Sequence, residues 1–359
     1  MRLRNTGRGR RNAPFIIKNS PFFVGAVALL GMVGGGFAAD LPIVPIVVAP
    51  PTPPPPVVCE NHIYAGADYL RMTRQDPDAT PLVSVAAPGD VLDASDFSFG
   101  WSSGIAGRAG IIFCNIGFEV GGFWISPMSS FLDDLFLGDP DVEIETNPLT
   151  DVFGVSAVTG YNETRVWGLD ANVVVQLNPN VLLFAGAAFI ELADILEIDV
   201  ISDQTPTSFA DGDGFGLYTW TAQNLMVGPQ VGVRGMFGPL TPGSFFLGVD
   251  VGAGLLFNFI RNDLLVDRSA LLGDLTGTDS AFSIVPMVRG AARVGFQVTS
   301  NIAITAGYQA LWLGNVALAP DQVAETGDLN IPGPDTVTLG TATNDFFSHG
   351  IEIGIRLRF

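Results

Sequence analysis

Basic residues are scarce in this chain, and lysine is nearly absent. Of 359 residues only 17 are Lys or Arg against 36 Asp or Glu, a formal net charge of −19, and the one lysine is Lys18. That balance excludes nucleic acid or an anionic membrane surface as partner, since both need basic patches. Histidine occurs twice, at His62 and His349. No carboxylate–histidine–hydroxyl constellation, phosphate loop or metal-ligand spacing can be read, so the sequence argues against an enzyme, and no cofactor is implied. Beyond the first forty residues no apolar run approaches the roughly 20 residues of a spanning helix. Yet 48% of the residues are hydrophobic. Apolar residues dispersed over alternating strands reconcile that content with the absence of long runs.

The beginning of the chain has its own character. Arg2, Arg4, Arg8, Arg10, Arg11 and Lys18 precede an apolar stretch from Phe22 to about Phe37, and Gly36 and Ala38 stand like the small residues of a signal-peptidase site. Residues 1–38 are therefore expected to be a signal peptide. Residues 39–60 include "LPIVPIVVAPPTPPPPVV", whose prolines forbid helix and central strand and favour an extended periplasmic linker. Residues 61–359 remain for the folded domain.

That domain reads as short alternating segments. "NHIYAGADYLRMT" is the first, and "HGIEIGIRLRF" the last, with Ile351, Ile353, Ile355, Leu357 and Phe359 opposite Glu352, Gly354, Arg356 and Arg358. Between them, tight connections such as Cys114-Asn115, Asn178-Pro179-Asn180 and Ser300-Asn301 alternate with long polar loops, the longest at 127–162 and 315–345. This pattern predicts an all-β antiparallel transmembrane β-barrel of about ten strands, each of about 11–15 residues, with short periplasmic turns and long extracellular loops. A hairpin hidden in the 127–162 loop would make twelve. All five tryptophans (Trp101, Trp124, Trp167, Trp220 and Trp312) fall near the long-loop rim, where a bilayer interface is expected. Phe113, Phe237, Phe296 and Phe359 fall at the opposite end.

Sorting faces by alternation places Asp68, Glu119, Asp170, Glu191, Asp250 and Glu352 on the polar face, with Arg108, Arg234, Arg289, Arg293, Arg356 and Arg358. Charges inside a narrow barrel must be paired. Arg108, Arg234, Arg289 and Arg293, with Glu119, Asp170 and Asp250 as counter-charges, are the candidate lumen cluster, set either for solute selectivity or for structural ion pairing. The surplus acid lies in the loops, densest in "LDDLFLGDPDVEIE" (132–145), where divalent cations are one conceivable ligand. Cys59 and Cys114 both belong to the tight-turn end, where an oxidising periplasm would permit a disulfide between them.

The segments "GADYLRMTRQDPDATPLVS", "WSSGIAGRAGIIFCNIGFEVGGFWIS", "VWGLDANVVVQL" and "SIVPMVRGAARVGFQVTSNIAITAGYQALWLGNVALAPDQV" resemble the beta barrel porin-7 family over most of residues 61–325. The resemblance implies an outer-membrane barrel in a Gram-negative-type bacterium. Glu352, Gly354, Leu357 and Phe359 look like the C-terminal strand signal read by the outer-membrane assembly machinery. The expected function is porin-like: slow passive passage of small solutes, or a surface-structural role. The alternative is a surface binding protein whose acidic loops hold a ligand, divalent cations or lipopolysaccharide. Outer-membrane lipid and lipopolysaccharide are the expected surroundings.

Overall fold

The computed structural model describes residues 61–85, 89–136, 143–144, 152–153, 155–202, 216–268, 274–327 and 336–359. Ten strands form a closed antiparallel barrel. They are β1 (Asn61–Arg74), β2 (Ser102–Phe113), β3 (Ile116–Phe136), β4 (Val155–Asn178) and β5 (Val181–Ser202), then β6 (Gly216–Phe237), β7 (Phe245–Arg268), β8 (Leu275–Gln297), β9 (Ile302–Val316) and β10 (Asn344–Arg358). Each strand pairs with its sequence neighbours, and β10 closes on β1 in a register running from Tyr64 opposite Arg358 to Arg74 opposite Ser348. Reciprocal backbone bonds between Ile63 and Phe359, at 2.9 and 2.8 Å, finish that seam at the tight-turn end. Closure leaves no strand edge, which is what a sheet surrounded by hydrocarbon requires.

Alternation assigns the faces. On β7, Leu247, Val249, Val251, Leu255, Phe257 and Phe259 are exposed on the outer wall, while Asp250 and Leu256 are buried inside. On β10, Ile351, Ile353, Ile355 and Phe359 are exposed and Glu352 is buried. An outer surface of this kind, contiguous from strand to strand, is far more apolar than water tolerates and suits a bilayer.

Toward the long-loop end the pattern inverts along the same strands. The inward positions of β5 become Leu192, Leu196, Ile198 and Val200, all buried, and those of β6 become Tyr218, Trp220 and Ala222. The outward positions of β7 become Arg261, Asp263 and Asp267, with Arg261 and Asp263 paired on the surface at 2.8 Å. The wall has passed from lipid into water, and the interior has become a hydrophobic core. Six strands, β3 to β8, are much longer than the 11–15 residues expected, with 21–24 each, while β1, β2, β9 and β10 have the expected 12–15. Alternation alone reads the same whichever face is apolar, so from sequence the upper halves of the long strands read as loops.

Two further expectations change. Strand β3 continues through Pro127 because a register shift between Ile125 and Met128 accommodates it, and Met128 and Ser130 then point inward in place of odd-numbered residues. A bulge is where a strand tolerates proline. The 127–162 region does contain a hairpin, Glu143–Ile144 with Val152–Phe153, but it joins Pro81–Val85 and Gly89–Asp93 in a separate four-stranded sheet, and the barrel keeps ten strands.

The segments between β1 and β2 and between β9 and β10 contribute to the upper core. Leu82, Leu92, Phe97 and Phe99 from the first, and Ala317, Leu318, Ala319 and Val323 from the second, belong to one apolar cluster with the inward residues of the strands. The second segment carries the short helix α1 (Ala319–Val323). Trp220, expected at the bilayer interface, lies in this core with 1% of its surface exposed, and its Nε1–H donates to Thr326 Oγ1 at 3.0 Å. Trp101 and Trp124 remain exposed on the outer wall, at 48% and 50%. In single-tryptophan variants in brominated-lipid vesicles, Trp124 should be quenched strongly. Trp220 should be shielded from both the lipid quencher and aqueous iodide, and iodide quenching of Trp220 would contradict the packed interior.

Candidate functional site

Inside the membrane-facing half the lumen is crossed by a layer of charge. Asp250 on β7 accepts from Arg108 Nη1 at 2.7 Å and from Arg234 Nε at 3.1 Å. The remaining nitrogens of Arg234 form a fork on Glu119, at 2.8 and 3.2 Å, and the Tyr64 hydroxyl donates to the same carboxylate at 2.8 Å. Arg289 donates to Asp170 at 3.0 Å, Arg293 pairs with Glu352, and Arg356 Nη2 reaches Asp68 at 2.8 Å. Asn172 donates to Asp170 and accepts from Gln230, while the Phe184 ring lies about midway between the guanidinium groups of Arg234 and Arg289, 5.6 and 5.5 Å from them. Planar guanidinium groups suit this work because each offers several fixed donors to two carboxylates at once.

Glycines make room for the layer. A Cβ at Gly354 would collide with the Asp68 carboxylate, and one at Gly66 would meet Arg356 Nη1 at 2.8 Å. Gly354, singled out as part of an insertion signal, thus has a packing reason to be glycine. Of the other residues of that signal, Glu352 sits in the charge layer, Leu357 is half-buried opposite Ala65 and Ile302, and Phe359 is exposed on the outer wall.

The structure brings together Arg108, Arg234, Arg289, Arg293, Glu119, Asp170 and Asp250, and adds Arg356, Asp68 and Glu352. Two assignments differ from the sequence reading. Glu191 shares the outward parity of Leu183 and Phe189 on β5 and accepts from Trp167 Nε1 at 3.1 Å, so it lies outside the lumen. Arg358 is on the inward parity but exposed at the mouth, with no ion pair among the described residues. Cys114 occupies the β2–β3 turn with φ of 59°. Cys59 lies outside the described residues, as do the rest of 1–60 and half of the acidic 132–145 stretch, 137–142 and 145. Among the described residues no cluster of three or more His, Cys, Asp or Glu is arranged for a metal ion.

Sequence reasoning missed a second buried pair, higher in the barrel. Arg74 Nη1 meets Asp194 Oδ1 at 2.7 Å, and both side chains are almost wholly enclosed. Thr164 donates to that oxygen at 2.6 Å, and the other, Oδ2, accepts from the backbone N–H of Ala319 at 2.9 Å, fastening the start of α1. Asn224 holds Ala317 through both its N–H and its carbonyl, each at 2.8 Å, and Asn262 donates to Gln322 at 3.0 Å. The available signal was Asp194 itself, an acid in the inward register between Leu192 and Leu196. Asp321, on the same connection, has its carboxyl raised above the ordinary range, mainly by burial and further by the negative charges of Asp194 and Asp78.

Spaces remain in the lumen among the described residues. One of about 320 Å³ opens among the tight turns, and one of about 90 Å³ lies between the charge layer and Met72, Ile125 and Leu311. The histidines do not meet: His349 is opposite Thr73 on β1, eleven residues along from His62, and stacks on Tyr308 with Trp101 edge-on.

A closed antiparallel cylinder, apolar outside and charge-paired within, defines an outer-membrane β-barrel protein. Residues 264–359 match the model of the family described as Putative beta barrel porin-7. No curated protein matches the chain. Among solved structures, the chain is similar to the outer membrane protease OmpT of Escherichia coli, at 13% identity and a TM-score of 0.45, covering 85% of this chain and 98% of that one. It is also similar to the translocator domain of the autotransporter NalP of Neisseria meningitidis, at 11% identity and a TM-score of 0.35, covering 83% and 88%. A Pseudomonas aeruginosa FadL homologue aligns at 10% identity and a TM-score of 0.30, covering 83% and 90%.

The charge layer has a measurable worth. Asp250→Ala strands Arg108 inside the lumen, leaves Arg234 with Glu119 alone, and should lower the unfolding free energy of the lipid-refolded protein in urea by about 3–5 kcal/mol. Arg165→Ala, at a pair whose arginine side chain is 59% exposed, should cost less than about 1 kcal/mol. Equal effects would show that the lumen pairs are solvated.

Proposed function

We propose that this protein is a closed, non-conducting barrel with a surface-structural role in the outer membrane. The observation that carries the reading is the filled cross-section. The charge layer spans the lumen, and above it lies an apolar core made of strand and loop residues, with a space of about 90 Å³ between. A hydrated ion would have to break several buried pairs and then cross hydrocarbon-like packing, each step costing several kcal/mol. The lumen arginines therefore serve structural ion pairing in preference to selectivity. The long water-exposed upper walls, with Glu163–Arg165 and Arg261–Asp263 on their outer faces, supply a rigid platform at the cell surface.

The reading is also non-catalytic. His349 is on the outer wall in an aromatic stack, the buried acids Glu119, Asp194, Asp250 and Glu352 are bound to arginine, and His62 lines the tight-turn cavity with no aspartate or glutamate among the described residues of that lining.

Folded protein, verified by its heat-shifted electrophoretic band, should give no discrete conductance steps in planar bilayers at moderate voltage. Regular steps, shifted in ion preference by neutralising Arg289 and Arg293, would replace this reading with a channel.

A further inference from the structure

The cavity at the tight-turn end differs from the rest of the lumen in the sign of its walls. Among the described residues its lining includes Arg108, Arg234, Arg293, Arg356 and Arg358, and no aspartate or glutamate. Asp68 and Asp250, which pair with Arg356 and with Arg108 and Arg234, line the smaller space on the other side of the layer, which Arg108 and Arg293 also reach. The arginines thus reach the cavity at the mouth while these aspartates do not line it, in a chain whose overall charge is −19.

Some of those guanidinium donors are spare. Arg108 commits Nη1 to Asp250, and Arg356 commits Nη2 to Asp68 and Nη1 to the Ile355 carbonyl. Arg358 has no ion pair among the described residues, and the side chains of Arg108 and Arg356 retain 24% and 25% exposure. Beside these donors the lining carries the apolar side chains of Ile112, Leu182, Met236 and Phe246, with polar turn residues such as Asn178, Asn180 and Asn301 also lining it. The volume, about 320 Å³, is at the lower end of what small-molecule pockets enclose.

We propose that this vestibule binds a small amphipathic organic anion that enters from the tight-turn side. Arg108, Arg356 and Arg358 hold the anionic head by charge-assisted hydrogen bonds, and Ile112, Leu182, Met236 and Phe246 receive a body of one or two rings. A neutral molecule would leave the donors unused, and a fully hydrated inorganic anion would leave the apolar wall wet. The charge layer makes the vestibule a dead end. The site goes beyond the closed-barrel reading and does not need it, since a conducting barrel could carry the same vestibule.

The test uses the full chain refolded in lipid nanodiscs, titrated calorimetrically with naphthalene-2-sulfonate, with empty nanodiscs subtracted. Saturable binding at one site is expected, with the neutral naphthalene-2-methanol about ten-fold weaker or more, the scale of one charge-assisted bond. Arg358→Gln, which strands no buried acid, should weaken the sulfonate by about the same factor while keeping the heat-shifted band. Arg165→Gln, on the outer wall, should change nothing. Binding no greater than to empty nanodiscs, or equal affinity for the two probes in the unaltered protein, would overturn the proposal even if the variant fails to fold. Full affinity in a folded Arg358→Gln protein would remove that residue and the head-group assignment built on it.

Discussion

A backbone in hydrocarbon has no water to bond with, and every N–H and C=O must find its partner inside the protein. Closing β10 onto β1 satisfies this constraint for ten strands at once. Once the cylinder is closed, alternate residues have no choice of medium. Ile351, Ile353 and Ile355 meet lipid, and Glu352 and Arg356 meet the lumen. The narrow lumen then imposes the second condition, that charge entering it must be paired. Asp250 is the junction where this is met, because it lies within ion-pair distance of three arginines from three strands.

The same strands solve a different problem above the bilayer. There water surrounds the wall, so the outward positions turn polar and the inward ones apolar without any change in period. Two connections supply the material that the strands alone cannot, and Asp194, Asn224 and Asn262 bind one of them in place. The protein is thus a membrane barrel below and a water-exposed cylinder with a hydrophobic core above. That division accounts for a chain both acidic and nearly half hydrophobic.

Alternation made much of this legible. The faces of β7 from Phe245 to Phe259 and of β10 from His349 onward can be read from spacing, as can the membership of Arg108, Arg234, Arg289, Arg293, Glu119, Asp170 and Asp250 in one lumen. What spacing does not carry is height or partner: nothing near Asp250 in sequence indicates Arg108, 142 positions away. Nor does period two reveal which face is apolar relative to which medium, so from sequence the upper strands read as loops and Trp220 as an interface residue. Glu191 was misassigned for a related reason. It lies where the outer face changes from apolar to polar, and a charge there looks like a lumen residue. Pro127 acted as a stop signal in the sequence and as a bulge in the fold, a distinction that depends on the partner strand β4.

The inversion along a single strand is the claim on which the rest turns. Nitroxide labels placed one at a time along β7, in a cysteine-free background, would report it through their accessibility to oxygen and to a water-soluble nickel complex. Odd positions from Leu247 to Phe259 should favour oxygen, odd positions from Arg261 to Asp267 should favour nickel, and even positions should be shielded throughout. Nickel access at Leu256, Ile260 or Leu264 would mean an open, hydrated interior and would contradict the account.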